Sequence, residues 1–94
     1  MDVIHDADAR QFHVEVEGHR GDLDYVLRGG VMTITHTGVP PAIGGRGVAA
    51  ELTRVALERA RRENWKVVPA CSYAAAFIRR HPDFADLVAG GSPR

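Results

Sequence analysis

The stretch VMTITHTGVPPAIGGRGVAAELTRVALERARRENWKVVPAC, residues 31–71, decides the fold. Residues 31–37, VMTITHT, are rich in β-branched side chains and predict a strand in which Met32, Ile34 and His36 share one face. GVPPAIGGRG at 38–47 holds four glycines and two prolines, a composition that predicts a loop. From Gly47 to Glu63 the period becomes helical. Val48, Leu52, Val55, Ala56 and Ala60 form one stripe, while Glu51, Arg54, Glu58, Arg61 and Arg62 occupy other faces. Glu58 and Arg62 are spaced for a pair four residues apart, and Asn64 suits the left-handed position that ends a helix. WKVVPAC at 65–71 is the next strand. Strand, loop, helix and strand in series imply a parallel pair joined by a right-handed crossover.

Toward the N-terminus, FHVEVE at 12–17 and LDYVLR at 23–28 alternate as half-buried strands. The turn-rich tract GHRGD at 18–22 separates them, and Gly29-Gly30 makes a tight turn into residue 31. These three strands read as an antiparallel meander. Toward the C-terminus, SYAAAFIRRH at 72–81 is a short helix with Ser72 as N-cap and Pro82 at its end. DFADLV at 83–88 is expected to pack as a last short strand or turn, and 90–94 as a flexible tail. The expected fold is α/β (α+β): a single domain over 3–89, an antiparallel β-meander followed by βαβα.

Bulk properties exclude several functions. Ninety-four residues leave no room for a second core. Twelve basic residues balance twelve acidic ones, so no net charge draws the chain toward nucleic acid or an anionic membrane. The apolar runs are too short to span a bilayer, and MDVIHDADAR lacks the apolar segment of a secretory signal; a cytoplasmic location is expected. Cys71 is the only cysteine, and His5, His13, His19, His36 and His81 never pair at metal-ligand spacing, so no metal is expected.

Strand, glycine loop and helix is an arrangement that binds phosphate. The first turn of a helix presents unpaired N–H groups and the positive end of the macrodipole. Gly44, Gly45 and Gly47 let backbone approach an oxyanion, and Arg46 can add a charged fork. A loop needing only flexibility is the plainer explanation. No lysine and hydroxyl follow Gly47, which rules out a Walker A loop. GRGVAA at 45–50 matches the dinucleotide form G-x-G-x-x-A, but VPPAI separates the glycines from the strand, and Ala70-Cys71-Ser72 offers no acid for a ribose.

GGRGVA at 44–49 resembles the pyrophosphate-binding signature [Q/R]-x-x-G-x-[G/A] of the GNAT superfamily of acyl-CoA transferases. Residues 35–84 are similar to a short GNAT-like subfamily of about ninety residues, which has a T-x-V-P step (37–40 here), a G-x-G-[IV]-[AG] turn (45–49), a P-x-C step (69–71) and an R-x-P ending, Arg80-His81-Pro82. Residues 12–34 follow by strand pattern only. The resemblance implies a minimal GNAT-like domain with a splayed parallel strand pair, acetyl-CoA as cosubstrate, and transfer of acetyl to an amine of a small molecule or a protein lysine. It also implies that Val39 offers backbone groups to the pantetheine arm and that residues 44–49, Val48 and Ala49 included, hold the phosphates. Two departures stand out. The signature's first position is Gly44 rather than Arg or Gln, and Gly38 stands where many relatives carry an acid.

Within that frame Cys71, at the strand end near the expected thioester, is a nucleophile or a neighbour of the reacting group; a buried apolar cysteine is the plainer reading. Tyr73 is a candidate proton donor to the departing thiolate, or a core aromatic. His36 is a candidate base, or a partly buried structural histidine. Arg79 and Arg80 are candidates for the 3′-phosphate of CoA, or a solvated helix end. The helices that complete the acceptor site in longer GNAT enzymes have no counterpart, since HRGDL spans that gap. Three functions follow: N-acetyltransferase, non-catalytic acyl-CoA-binding module, or interaction domain with a vestigial loop.

Overall fold

The computed structural model describes residues 1–90; residues 91–94, the larger part of the expected tail, lie outside the described residues. The strands are β1 (Ile4–Asp6), β2 (Gln11–Val16), β3 (His19–Arg28), β4 (Val31–Gly38) and β5 (Lys66–Pro69). The helices are α1 (Val48–Arg62) and α2 (Ser72–Arg80), with short 3-10 segments at Pro41–Ile43 and Pro82–Leu87. The strands form one five-stranded sheet in chain order, β1-β2-β3-β4-β5. The first four are antiparallel, and β4 and β5 are parallel. The expected mixed fold is therefore borne out.

Local chemistry accounts for the turns. Glu17 and Gly18 both have positive φ (50° and 79°), as do Gly29 and Gly30 (57° and 77°), the signature of two-residue hairpins that match strand twist. The connection at 18–22 is thus shorter than the sequence suggested: the turn is Glu17-Gly18, and HRGD belongs to β3. Gly21 lies inside that strand because α1 packs directly on it. Strand β1 was hidden in the acidic N-terminus, since three residues are too few to show a period. Asn64 takes φ 60° just beyond α1, as expected.

Both helices cover one face of the sheet. Phe12, Val14, Leu23, Tyr25, Met32, Ile34 and Val67 point toward Leu52, Ala56, Leu57, Ala60, Phe77 and Ile78 to form the core. Buried Thr53 bonds its hydroxyl to Ala49 O at 2.8 Å, so it leaves no polar group unpaired. The helical ion pair is Arg59–Glu63 at 2.9 Å rather than Glu58–Arg62. The Pro82–Leu87 segment is tied to α1 by a two-pronged Arg61–Asp86 contact at 2.9 and 3.0 Å. Residues 83–88 turn, then touch β5 through one bridge, Val67–Val88. Among the described residues the opposite sheet face carries no helix, and it exposes Ile4, Val26 and Val68. Among the described residues no helix is long and apolar enough to cross a membrane.

One irregularity shapes the end of β4. Tyr25 pairs with Ile34 and Asp24 with His36, so Thr35 is an extra residue, a β-bulge whose hydroxyl donates to Asp24 O at 3.3 Å. An added residue inverts the alternation beyond it. His36 therefore leaves the core face expected for it and stands exposed on the open face. Thr37, cross-strand from buried Leu23, turns to the helix side.

Candidate active site

The parallel ladder between β4 and β5 ends at Ile34–Pro69. One further bond, Cys71 N–H to Ile34 O at 2.9 Å, closes it; the chain then turns into α2 while β4 runs on to Gly38. The loop after β4 is anchored by fully buried Ile43 and crosses to α1 over the glycines. Gly45 and Gly47 have φ of 75° and 76°, a conformation that costs a side-chain-bearing residue about 1–2 kcal/mol. Gly47 is the N-cap of α1, and no side chain caps that helix start. Its first-turn N–H groups are left to solvent or a ligand.

These groups line a cleft of about 280 Å³ formed by Val39, Ile43, Gly44, Gly45, Gly47, Val48, Ala49, Ala50 and Tyr73. Val39 and five of the six residues read from the glycine signature meet here, with Tyr73 opposite. Arg46 does not line the cleft: its Nη1 lies 2.8 Å from Glu17 Oε2, on the β2–β3 turn. Arg79 and Arg80 lie exposed in the last turn of α2, outside the cleft lining.

Cys71, not Ser72, is the N-cap of α2, because the chain is still extended at Cys71 (φ −81°, ψ 134°). Its sulfur lies 3.5 Å from Thr37 Oγ1, beyond the last rung of the ladder. Burial pushes the Cys71 thiol up; the N–H of Ala74, the Thr37 hydroxyl and the N–H of Tyr73 more than offset it, and the thiol rests below its ordinary value. The sulfur has no hydrogen bond of capping geometry, so the helix start acts on it through its field.

On the open face the bulge gathers groups that sequence spacing did not connect. Ligand atoms of Asp22, Asp24 and His36 lie within 4.8 Å of one another. Asp22 pairs with Gly38 across the strands, and a Cβ at Gly38 would sit 2.9 Å from His36 Nε2 and 3.1 Å from Asp22 Oδ1. A carboxylate and an imidazole from neighbouring positions thus crowd the place where the resemblance calls for an acid. Asp22 and Thr37 had no signal in the sequence, because simple alternation through Thr35 puts Thr37 on the other face.

A mixed sheet whose parallel pair ends beside a glycine-capped helix defines an acyl-CoA transferase fold of the GNAT class. A family profile described as GCN5-related N-acetyl-transferase matches residues 11–87, and the chain belongs to that family. It is similar to protein NATD1 of Mus musculus, 35% identical over 83 residues that cover 85% of this chain and 76% of the mouse protein. Protein NATD1 of Homo sapiens is also 35% identical over 83 residues, 85% of this chain and 74% of the human one. A GCN5-like protein of Staphylococcus aureus, solved by solution NMR, superposes with a TM-score of 0.73 at 25% identity, covering 95% of this chain and 88% of that one.

Proposed function

We propose that the protein is an N-acetyltransferase that binds acetyl-CoA in the Val39–Tyr73 cleft and passes the acetyl group to an amine. The observation that carries this reading is the coincidence of the cleft with an uncapped helix start and two glycines of positive φ. Backbone N–H groups there suit a pyrophosphate, and Cys71, which does not itself line the cleft, stands two residues before the lining Tyr73. The Cys71 thiolate attacks the thioester carbonyl. A carbon–sulfur bond to Cys71 forms, the bond to the CoA sulfur breaks, and Tyr73 supplies a proton to the departing thiolate. The amine approaches from the open face. Its nitrogen takes the acetyl group, Cys71 leaves as thiolate, and the nitrogen's proton goes to His36, beside Asp22 and Asp24, whose negative charge suits a cationic acceptor. A cytoplasmic setting, where a free thiol stays reduced, fits this chemistry.

Calorimetric titration with acetyl-CoA, run beside Gly47→Glu, tests the cofactor site. Open space surrounds a Cβ at Gly47, so the variant folds at a cost of about 1–2 kcal/mol while its carboxylate enters the cleft. Saturable binding lost in the variant supports the site, and CoA release with an amine panel then tests transfer. Binding without turnover on any amine favours a non-catalytic acyl-CoA module, the reading suggested by the bare hairpins where acceptor helices stand in longer relatives. No binding by folded wild type sinks both.

A further inference from the structure

Resting on that reading of the cleft, we propose that Thr37 is a positioning residue for Cys71: its hydroxyl, turned to the helix side by the Thr35 bulge, donates to the Cys71 sulfur and holds it as a thiolate two residues before the cleft-lining Tyr73. The observations are geometric. Thr35 and Thr53 each spend their hydroxyls on a backbone carbonyl, Asp24 O and Ala49 O. The Thr37 hydroxyl meets a sulfur instead, at 3.5 Å and partly buried. It is the one side-chain hydrogen bond between β4 and the β5–α2 junction among the described residues.

The bulge is what makes the contact possible. Were Thr35 paired in regular register opposite Asp24, His36 would fall opposite Leu23 on the core face and Thr37 opposite Asp22 on the open side. One inserted residue therefore sends a donor to the thiol and a base to the opposite face. A hydroxyl is suited to this place. It favours the anionic sulfur over the neutral thiol, yet it carries no charge that would trap the thiolate and quench its nucleophilicity. A valine would fill the same volume with no donor.

The experiment is the pH–rate profile of Cys71 alkylation by iodoacetamide for wild type, Thr37→Val, Thr37→Ser and Thr37→Ala, with urea midpoints checked first. Because Cys71 is the sole cysteine, the rate reports one site. Loss of the donor moves the Thr37→Val profile to higher pH and slows alkylation at pH 7 about fivefold. Thr37→Ala behaves alike and Thr37→Ser restores the wild-type profile. A Thr37→Val profile that superimposes on wild type, or a Thr37→Ser profile that follows Thr37→Val, overturns the proposal. Acetyl-CoA titration of the same samples separates the two ideas. An unshifted profile in a protein that binds acetyl-CoA removes Thr37 alone. A shifted profile in one that binds none removes the role in transfer together with the reading of the cleft.

Discussion

Replacing Gly21 by alanine tests how closely the first turn of α1 is set against the sheet. An added Cβ would lie 2.8 Å from Val48 Cγ1 and 3.5 Å from Leu52 Cδ1. Carbon atoms pack at about 3.5–4.0 Å, so roughly 1 Å must be found at Val48. Valine in a helix has one strongly preferred rotamer, so the backbone of the first turn moves rather than the side chain. Overpacking of this kind costs about 1–3 kcal/mol, and the stiffer unfolded chain returns up to about 1 kcal/mol of it. The expected net loss is about 1–2 kcal/mol. Val48→Ala alone removes two buried methyl groups and costs about 1.5–3 kcal/mol. The double variant relieves the clash, so urea denaturation followed by circular dichroism should show it more stable than the sum of the singles by about 1 kcal/mol or more. The same turn carries the N–H groups of the cleft. Acetyl-CoA affinity should therefore fall in Gly21→Ala and recover in the double. Stability effects that add to within about 0.5 kcal/mol would refute the contact and the claim that the sheet sets the position of the helix start.

Three further outcomes are expected. Deleting Thr35 removes the extra residue and leaves His36 opposite Asp24 and Thr37 opposite Leu23, so Cys71 alkylation should keep its wild-type rate; a fall to the rate of an ordinary thiol would show that the bulge itself, and not the register beyond it, holds Thr37 at the sulfur. His5, stacked on Phe12 at 4.1 Å and bonded to Tyr25 Oη at 2.5 Å, is held below the histidine value of 6.5, first by burial and then by Arg59. The unfolded chain then binds this proton more readily than the fold. Its contribution is fully present above pH 6.5 and is lost as pH falls through that value toward the lower folded one. The urea midpoint of wild type should drop more between pH 8 and pH 5 than that of His5→Gln; parallel curves would count against it. Phe77→Ala empties a site in contact with Tyr73, Phe84 and the Arg54 guanidinium, and should cost about 3–5 kcal/mol in thermal or urea unfolding. A loss below about 1 kcal/mol would mean that α2 is not anchored there.

Where the chain states a local preference strongly, sequence and structure agree. Alternation in FHVEVE and LDYVLR, the β-branched run before Thr37, the glycine loop and the stripe from Val48 to Ala60 lead to the meander, the crossover and the cleft. The departures come from contacts that no local pattern encodes. HRGD reads as a turn because glycine and aspartate are turn residues; it is strand because Gly21 is the spot where Val48 can touch the sheet. His36 and Thr37 exchange faces because of one unpaired residue, whose only sign is a threonine among threonines. Arg46 sits in the signature yet bonds Glu17, a partner twenty-nine positions away that only the hairpin brings near. Hydrophobic period thus predicts which elements exist, while a bulge or a close approach decides which side chains meet.

Strand order that copies chain order also governs how the fold is reached. β2 to β4 are joined by two-residue turns and β1 by four residues, so their pairing closes short loops at little entropic cost and proceeds on the hairpin timescale. The β4–β5 step is different, because it waits for a loop and a fifteen-residue helix to be in place. The cleft and Cys71 both ride on that step. The proposed site is therefore expected to be the last part of the molecule to assemble, and in hydrogen exchange the first to open. A ligand that bridges the helix start and Cys71 would act as the closing clasp, so saturation with it should slow exchange in β5 and α2 while leaving the meander's amides almost unchanged.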